Sequence, residues 1–174
     1  MEFTFTLKYQ LADDDSDLAT LIERLAGAGC DDALVGIGRP GRLALEFTRE
    51  AADADSAVHS ALADVRRAAP STQLIEVAPD LVGLTEVADI VGVSRQNMRK
   101  LMLAHPGSFP APVHEGSASI WHLADVLAWL QAKGNYPLAE NALGIARAAL
   151  RVNVAKEGRR LPRSASKELE ALIG

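Results

Sequence analysis

Between positions 84 and 101 the chain reads LTEVADIVGVSRQNMRKL. This stretch limits the fold more than any other, because it prescribes two short helices that cross around a tight turn. Val87 and Val91 lie four apart on one helical face, Ala88 is small where a second helix must cross, and Gly92 tolerates the left-handed backbone of the turn. Val93, Met98 and Leu101 then close a shared apolar core. Ser94 is placed to cap the second helix by accepting from a backbone N–H that has no helical partner. Arg95, Gln96, Asn97, Arg99 and Lys100 are left as its polar face. Arg, Gln and Asn match the hydrogen-bonding edges of base pairs in a major groove, and Arg and Lys neutralise phosphates. The pattern is that of a helix-turn-helix, with Ser94, Arg95, Gln96, Asn97, Arg99 and Lys100 as the candidate DNA-contacting set. An ordinary helical hairpin with a solvated face would account for any one of these residues, but not for the joint fit of Ala88, Gly92, Val93, Met98 and Leu101.

The residues that follow extend the pattern. Phe109-Pro110-Ala111-Pro112-Val113 leads into a short strand, Glu115-Gly116-Ser117-Ala118-Ser119 has hairpin-turn chemistry, and Ile120-Trp121 can return as the partner strand. Leu123, Val126, Leu127 and Leu130 then repeat at helical spacing. With the order helix, helix, hairpin, helix, residues 81–130 resemble the winged-helix DNA-binding domains of the AlpA, excisionase and MerR type. The resemblance rests on LTEVADIVGVSRQNMRKL, FPAPV, the small hairpin and IWHLADVLAWL, and covers less than a third of the chain. It implies DNA binding without separating a repressor from an architectural factor or an antitoxin. AlpA-like wings usually carry Arg around the tryptophan strand, where this chain has Ser119, Ile120, Trp121 and His122.

Charge divides the chain in two. The net charge of −5 argues against a general nucleic-acid coat protein, yet residues 1–80 hold 7 Lys/Arg against 15 Asp/Glu while residues 81–174 hold 11 against 8. An acidic first half would repel DNA and leave the helix-turn-helix half to approach it. At 174 residues the chain has room for two small domains. Cys30 is the single cysteine, which excludes an intramolecular disulfide and a cysteine-based zinc site, and it reads as a small buried hydrophobe. With no apolar run of membrane-spanning length and no signal-like start, a soluble, cytoplasmic protein is expected.

The first half alternates and turns. Phe3, Phe5, Leu7 and Tyr9 share one face of a strand. After Asp13-Asp14-Asp15, a helical stripe of Leu18, Leu21, Ile22 and Leu25 is expected, capped by Asp15 or Ser16 and ended by Gly27 or Gly29. Strands over 32–37 and 42–48 flank a reversal at Gly38-Arg39-Pro40-Gly41. Val58, Ala61, Leu62 and Val65 form a second helix stopping before Pro70, and Leu74, Ile75 and Val77 a last strand. This βαββαβ order predicts a ferredoxin-like sheet with two helices on one face. Ala33, Val35, Ile37, Leu43, Leu45 and Phe47 would fill the inner face, leaving Leu34 and Ala44 to make the outer face partly apolar.

Two chemical readings fail on the residues. Gly36-Ile37-Gly38-Arg39-Pro40-Gly41 fits G-x-G-x-x-G, but RLALEFT follows it and reads as a strand, so no helix N-terminus awaits a pyrophosphate. His105, His114 and His122 lack the helical i, i+4 spacing of a metal pair, and no nucleophile, P-loop or zinc-protease motif is present. No enzyme, cofactor or metal is expected. Near the C-terminus, LAENALGIARAALRVNVA predicts a helix with adjacent stripes at Leu143, Ala146, Leu150 and at Ile145, Ala149, Val152, wide enough to be buried on the winged helix or, preferably, on a second subunit. Lys156, Arg159, Arg160, Arg163 and Lys167 make a basic extension.

The expected protein is therefore α+β: a ferredoxin-like association or sensing domain (1–80), a winged helix-turn-helix (81–132), and a C-terminal helix with a basic tail (133–174). The expected function is sequence-specific transcription regulation on double-stranded DNA as a homo-oligomer, with no membrane partner. A protein partner or small-molecule effector could act through the first domain. The alternatives are an antitoxin or partner-binding module gripping a protein through its acidic half, and a ligand-binding or enzymatic ferredoxin-like domain.

Overall fold

A computed structural model describes residues 1–13, 17–161 and 169–173. Alternation along β1 (Glu2–Gln10) turns Phe3, Phe5, Leu7 and Tyr9 inward, where all four are buried. α1 (Leu18–Gly27) is capped by Asp17, whose carboxylate accepts from the Thr20 hydroxyl at 2.6 Å and from the Thr20 N–H at 3.5 Å. Those two bonds hold the Asp17 carboxyl below the usual carboxylate range. The expected caps Asp15 and Ser16 lie outside the described residues, as do Asp14, Arg163 and Lys167.

β2 (Ala33–Gly36), β3 (Arg42–Glu50), α2 (Ala54–Ala68) and β4 (Gln73–Ala78) follow. The four strands form one sheet in the order β2-β3-β1-β4 with every neighbouring pair antiparallel. Leu21 and Leu25 of α1 and Ala57, Val58, Ala61 and Val65 of α2 bury against Phe5, Leu7, Leu43, Leu45, Phe47 and Val77. One expectation about the hairpin changes: β2 stops at Gly36, so Ile37 falls in the turn and is 47% exposed instead of inward. On the outer face Leu34 is exposed beside Glu46 and Ala44 is half-buried, as the alternation predicts, and they sit among polar side chains such as Lys8 and Glu76, which pair at 2.6 Å.

The second half comprises β5 (Leu81–Val82), α3 (Leu84–Val91), α4 (Arg95–Ala104), β6 (His114–Glu115), β7 (Ser119–His122), α5 (Leu123–Lys133) and α6 (Ala142–Gly158). β6 and β7 form the hairpin expected after FPAPV, and β5 joins the far edge of β7 to give a three-stranded sheet, β5-β7-β6. A second core gathers Val87, Ala88, Val91, Met98, Trp121, Leu123, Val126, Leu127 and Leu130. The described residues thus make a mixed α/β protein with two antiparallel sheets and a core beside each. None of the helices among the described residues is long and apolar enough to cross a membrane.

α6 binds the two cores together. Ile145, Ala148 and Ala149 enter the first core, while Ala146, with Leu143 and Leu150 beside it, enters the second. The two stripes read along this helix are therefore two seams facing two neighbours in the same chain. This corrects the preference for burial on a second subunit. It also follows from the sector's width, since a stripe that faced only one partner would need only one of those rows. β4 is an edge strand, and α6 covers its free edge: the Asn153 side chain accepts from Val77 N–H and donates to Val77 C=O, both at 2.8 Å, and Lys156 donates to the Ile75 carbonyl. Exposed strand edges invite pairing with other chains, and here side chains of one helix take the place of a fifth strand.

Candidate nucleic-acid interface

The interface is built from a turn outward. α3 opens at Gly83, whose N–H donates to the Glu86 carboxylate at 2.8 Å, and closes at Gly92 with φ 76° and ψ 32°. A residue with a Cβ would be strained at that left-handed position, which is why glycine stands where the chain must reverse within three residues. Val93 N–H then donates to the Ala88 carbonyl at 2.9 Å and Ser94 caps α4, its hydroxyl accepting from Asn97 N–H at 3.1 Å. Val87, Ala88 and Met98 are fully buried at the crossing of the two helices.

With Met98 fixed inward, helical geometry turns Gln96, Asn97, Arg99 and Lys100 away from the core. Ser94, Arg95, Gln96, Asn97, Arg99 and Lys100 are all exposed, as the spacing predicts. The side chains of Arg95, Gln96, Asn97, Arg99 and Lys100 have no ion pair or side-chain hydrogen bond among the described residues. Three cations and two amides thus stand on one short helix with their donors unspent. Leu103, 61% exposed, continues the same face one turn on.

The hairpin offers less. Val113 N–H donates to the Ile120 carbonyl at 2.8 Å, and His114, Glu115 and Ser117 are exposed at its tip. It carries no Lys or Arg, so any phosphate contact from it would come from backbone N–H groups or His114. Trp121 is buried and donates its indole N–H to the Pro110 carbonyl at 3.0 Å. Phe109 lies edge-on to both Trp121 and Trp129, with ring centroids 6.1 and 5.1 Å apart, and His105 packs on Trp129 at 5.4 Å. This aromatic cluster ties the loop after α4 to β7 and α5, and so fixes the angle at which α4 projects.

The histidines separate. His105 belongs to that cluster, His114 is at the hairpin tip, and His122 donates from Nδ1 to the buried Asp80 carboxylate at 2.7 Å. Among the described residues no group of three or more His, Cys, Asp or Glu side chains is placed to share a metal ion. Gly36-Ile37-Gly38-Arg39-Pro40-Gly41 joins β2 to β3, with no helix behind it.

One arrangement was not read from the sequence. The second oxygen of Asp80 accepts from Asn153 Nδ2 at 2.8 Å, and the Asp80 carbonyl accepts from Leu123 N–H at 2.7 Å. His122 of β7, Asp80 after β4 and Asn153 of α6 therefore form one satisfied polar junction where the two cores meet. Its sequence signal is Asn153 itself, an amide between Val152 and Val154 in the helical row that Ala146, Ala149 and Leu150 make apolar. Comparison of the chain with family models, with curated proteins and with solved structures gives no match.

Proposed function

We propose that this protein is a sequence-specific DNA-binding regulator of transcription that acts by binding, without chemistry of its own. One observation carries the reading: α4 leaves the Gly92 turn with Arg95, Gln96, Asn97, Arg99 and Lys100 exposed and unpaired, on a helix that Met98 and the aromatic cluster hold in a fixed attitude. In this reading α4 lies in the major groove. Arg95, Gln96 and Asn97, on its first turn, address base edges, while Arg99 and Lys100 address bases or phosphates. The order α3, α4, hairpin, α5 supports a winged helix-turn-helix, and the β2-β3-β1-β4 order with α1 and α2 on one face supports a ferredoxin-like sheet.

Selection from a pool of random duplexes, at a salt concentration that suppresses simple phosphate attraction, tests the reading. Enrichment of a defined site is the expected result. A two-fold repeat in that site would show that two copies bind together and would give their spacing. Recovery of no preferred sequence would overturn specific readout.

A further inference from the structure

A cleft of about 820 Å³ opens between α2, the start of β4 and the last turns of α6, and no residue of α4 lines it. Its size suits a small molecule of ordinary metabolite or drug dimensions. Leu62, Leu74 and Val152 give it an apolar lining, and Arg66, Arg151 and Arg159 stand around it. No Asp or Glu lines it, although the first 80 residues hold 15 of them.

Two lining cations have other work: Arg151 pairs with Asp55, and Lys156 bonds to Glu157 and to the Ile75 carbonyl. Arg66 and Arg159 have no ion pair among the described residues. Deeper in, Tyr9 is 5% exposed, and its hydroxyl makes no hydrogen bond among the described residues but is not sealed from solvent. It is therefore open to a partner that enters the cleft. Burial pushes its pKa up, so it remains a neutral donor.

We propose that this cleft binds a small amphipathic anion. The ligand's aromatic or alkyl body would lie on Leu62, Leu74 and Val152, an acceptor atom would take the Tyr9 hydroxyl, and a carboxylate, sulfonate or phosphate group would meet Arg66 and Arg159. The apolar lining selects against bare inorganic anions, and the unpaired guanidiniums favour an anion over a neutral molecule of the same shape, which the apolar lining alone still holds more weakly. The site is formed jointly by the sheet half and by α6, and its existence does not depend on DNA binding.

The dye anilinonaphthalene sulfonate, an aromatic body with one fixed negative charge, is a direct probe for the full-length protein. Saturable one-to-one binding is expected, displaced by decanoate but not by inorganic phosphate at the same concentration. Replacing both guanidiniums, Arg66→Ser with Arg159→Ser, should weaken the dye about tenfold or more while leaving the neutral counterpart phenylnaphthylamine unchanged. Ala63→Trp, on the exposed side of α2 but lining the cleft, should block both dyes. Circular dichroism of each variant confirms that it is folded. Absence of saturable binding, full displacement by inorganic phosphate, or undiminished dye affinity in the arginine variant would each overturn the proposal.

Discussion

Arg49 and the cations of α4 put the same chemistry to opposite uses. Arg49 continues the inward row of β3 after Leu43, Leu45 and Phe47, and its side chain is only 9% exposed. Its guanidinium donates to Asp32 at 2.7 and 2.8 Å, to Asp64 at 2.7 Å, to the Ser60 hydroxyl at 3.1 Å and to the Gly29 carbonyl at 2.6 Å, so that the loop between α1 and β2, the interior of α2 and the end of β3 are drawn to one point. These partners raise its pKa, the hydrogen bonds it donates to Asp32 most of all. Arg95, Arg99 and Lys100 have no such partners. A buried charge must be satisfied within the fold, whereas a charge left exposed and unpaired adds little to stability and remains available to a ligand. The sheet half spends its cation on architecture, and α4 keeps its own in reserve.

The largest expected effect comes from removing the spent cation. Arg49→Met should destabilise the protein by about 3 kcal/mol in denaturant unfolding, at the low end for a broken buried pair because Asp32 keeps some access to water and Asp64 keeps Arg67 at 2.6 Å. A loss below 1 kcal/mol would mean that the cluster is surface decoration, and the contrast with α4 would collapse.

Asn153→Ala tests the junction between the halves. It strips Val77 of both edge partners and leaves Asp80 with only His122, so about 2 to 3 kcal/mol should be lost. Hydrogen exchange at the Val77 amide should quicken. A protected Val77 amide in this variant would show that another group covers the β4 edge.

The reserved cations should respond in the other currency. Arg95→Ala should leave the unfolding curve unchanged and cost about 1–3 kcal/mol in binding to a selected site, with relaxed preference at one base position. Lys100→Ala should weaken all sequences alike and lower the salt dependence by about one counterion. If either variant instead lowers stability by more than it lowers affinity, that side chain belongs to the fold and the face is not free.

What could be read from the sequence follows the same division. The two short helices crossing at Gly92 were legible because their restraints are local: Ala88, Gly92 and Met98 act within ten residues of one another, and the exposure of Gln96 and Lys100 follows from the burial of Met98 two positions from each. The strand alternation at Phe3, Phe5, Leu7 and Tyr9 was legible for the same reason. β5 was missed because two residues carry no period, and it exists only through pairing with Trp121 and His122, some forty positions away. The Arg49 cluster, the Asp80 junction and the two-sided burial of α6 are likewise long-range. The cleft combines Tyr9, Arg66 and Arg159, which nothing in a linear reading brings together. Asn153 and Arg49 did leave a trace, each being a polar residue at a position whose period demanded an apolar one.

The smallest effect concerns protons, and it again separates the halves. Burial pushes the Cys30 thiol up to about 11 from 9.0, with Asp64 adding to the shift, and burial raises Tyr9 as well. Both groups hold their protons more tightly in the folded chain than in the unfolded one. As pH rises the unfolded state therefore releases them first, so their contribution to stability is complete below about pH 9 and declines as pH approaches 11. Unfolding measured at pH 8 and at pH 10 should show that decline, and Cys30→Ala should flatten part of it while Tyr9 retains the rest. Neither group touches α4, so the affinity of Cys30→Ala for a selected duplex at neutral pH should match that of the parent. An alkaline decline equally steep in Cys30→Ala would show that its thiol ionises as freely in the folded chain as in the unfolded one, and that the first core is more open at Cys30 than its burial implies.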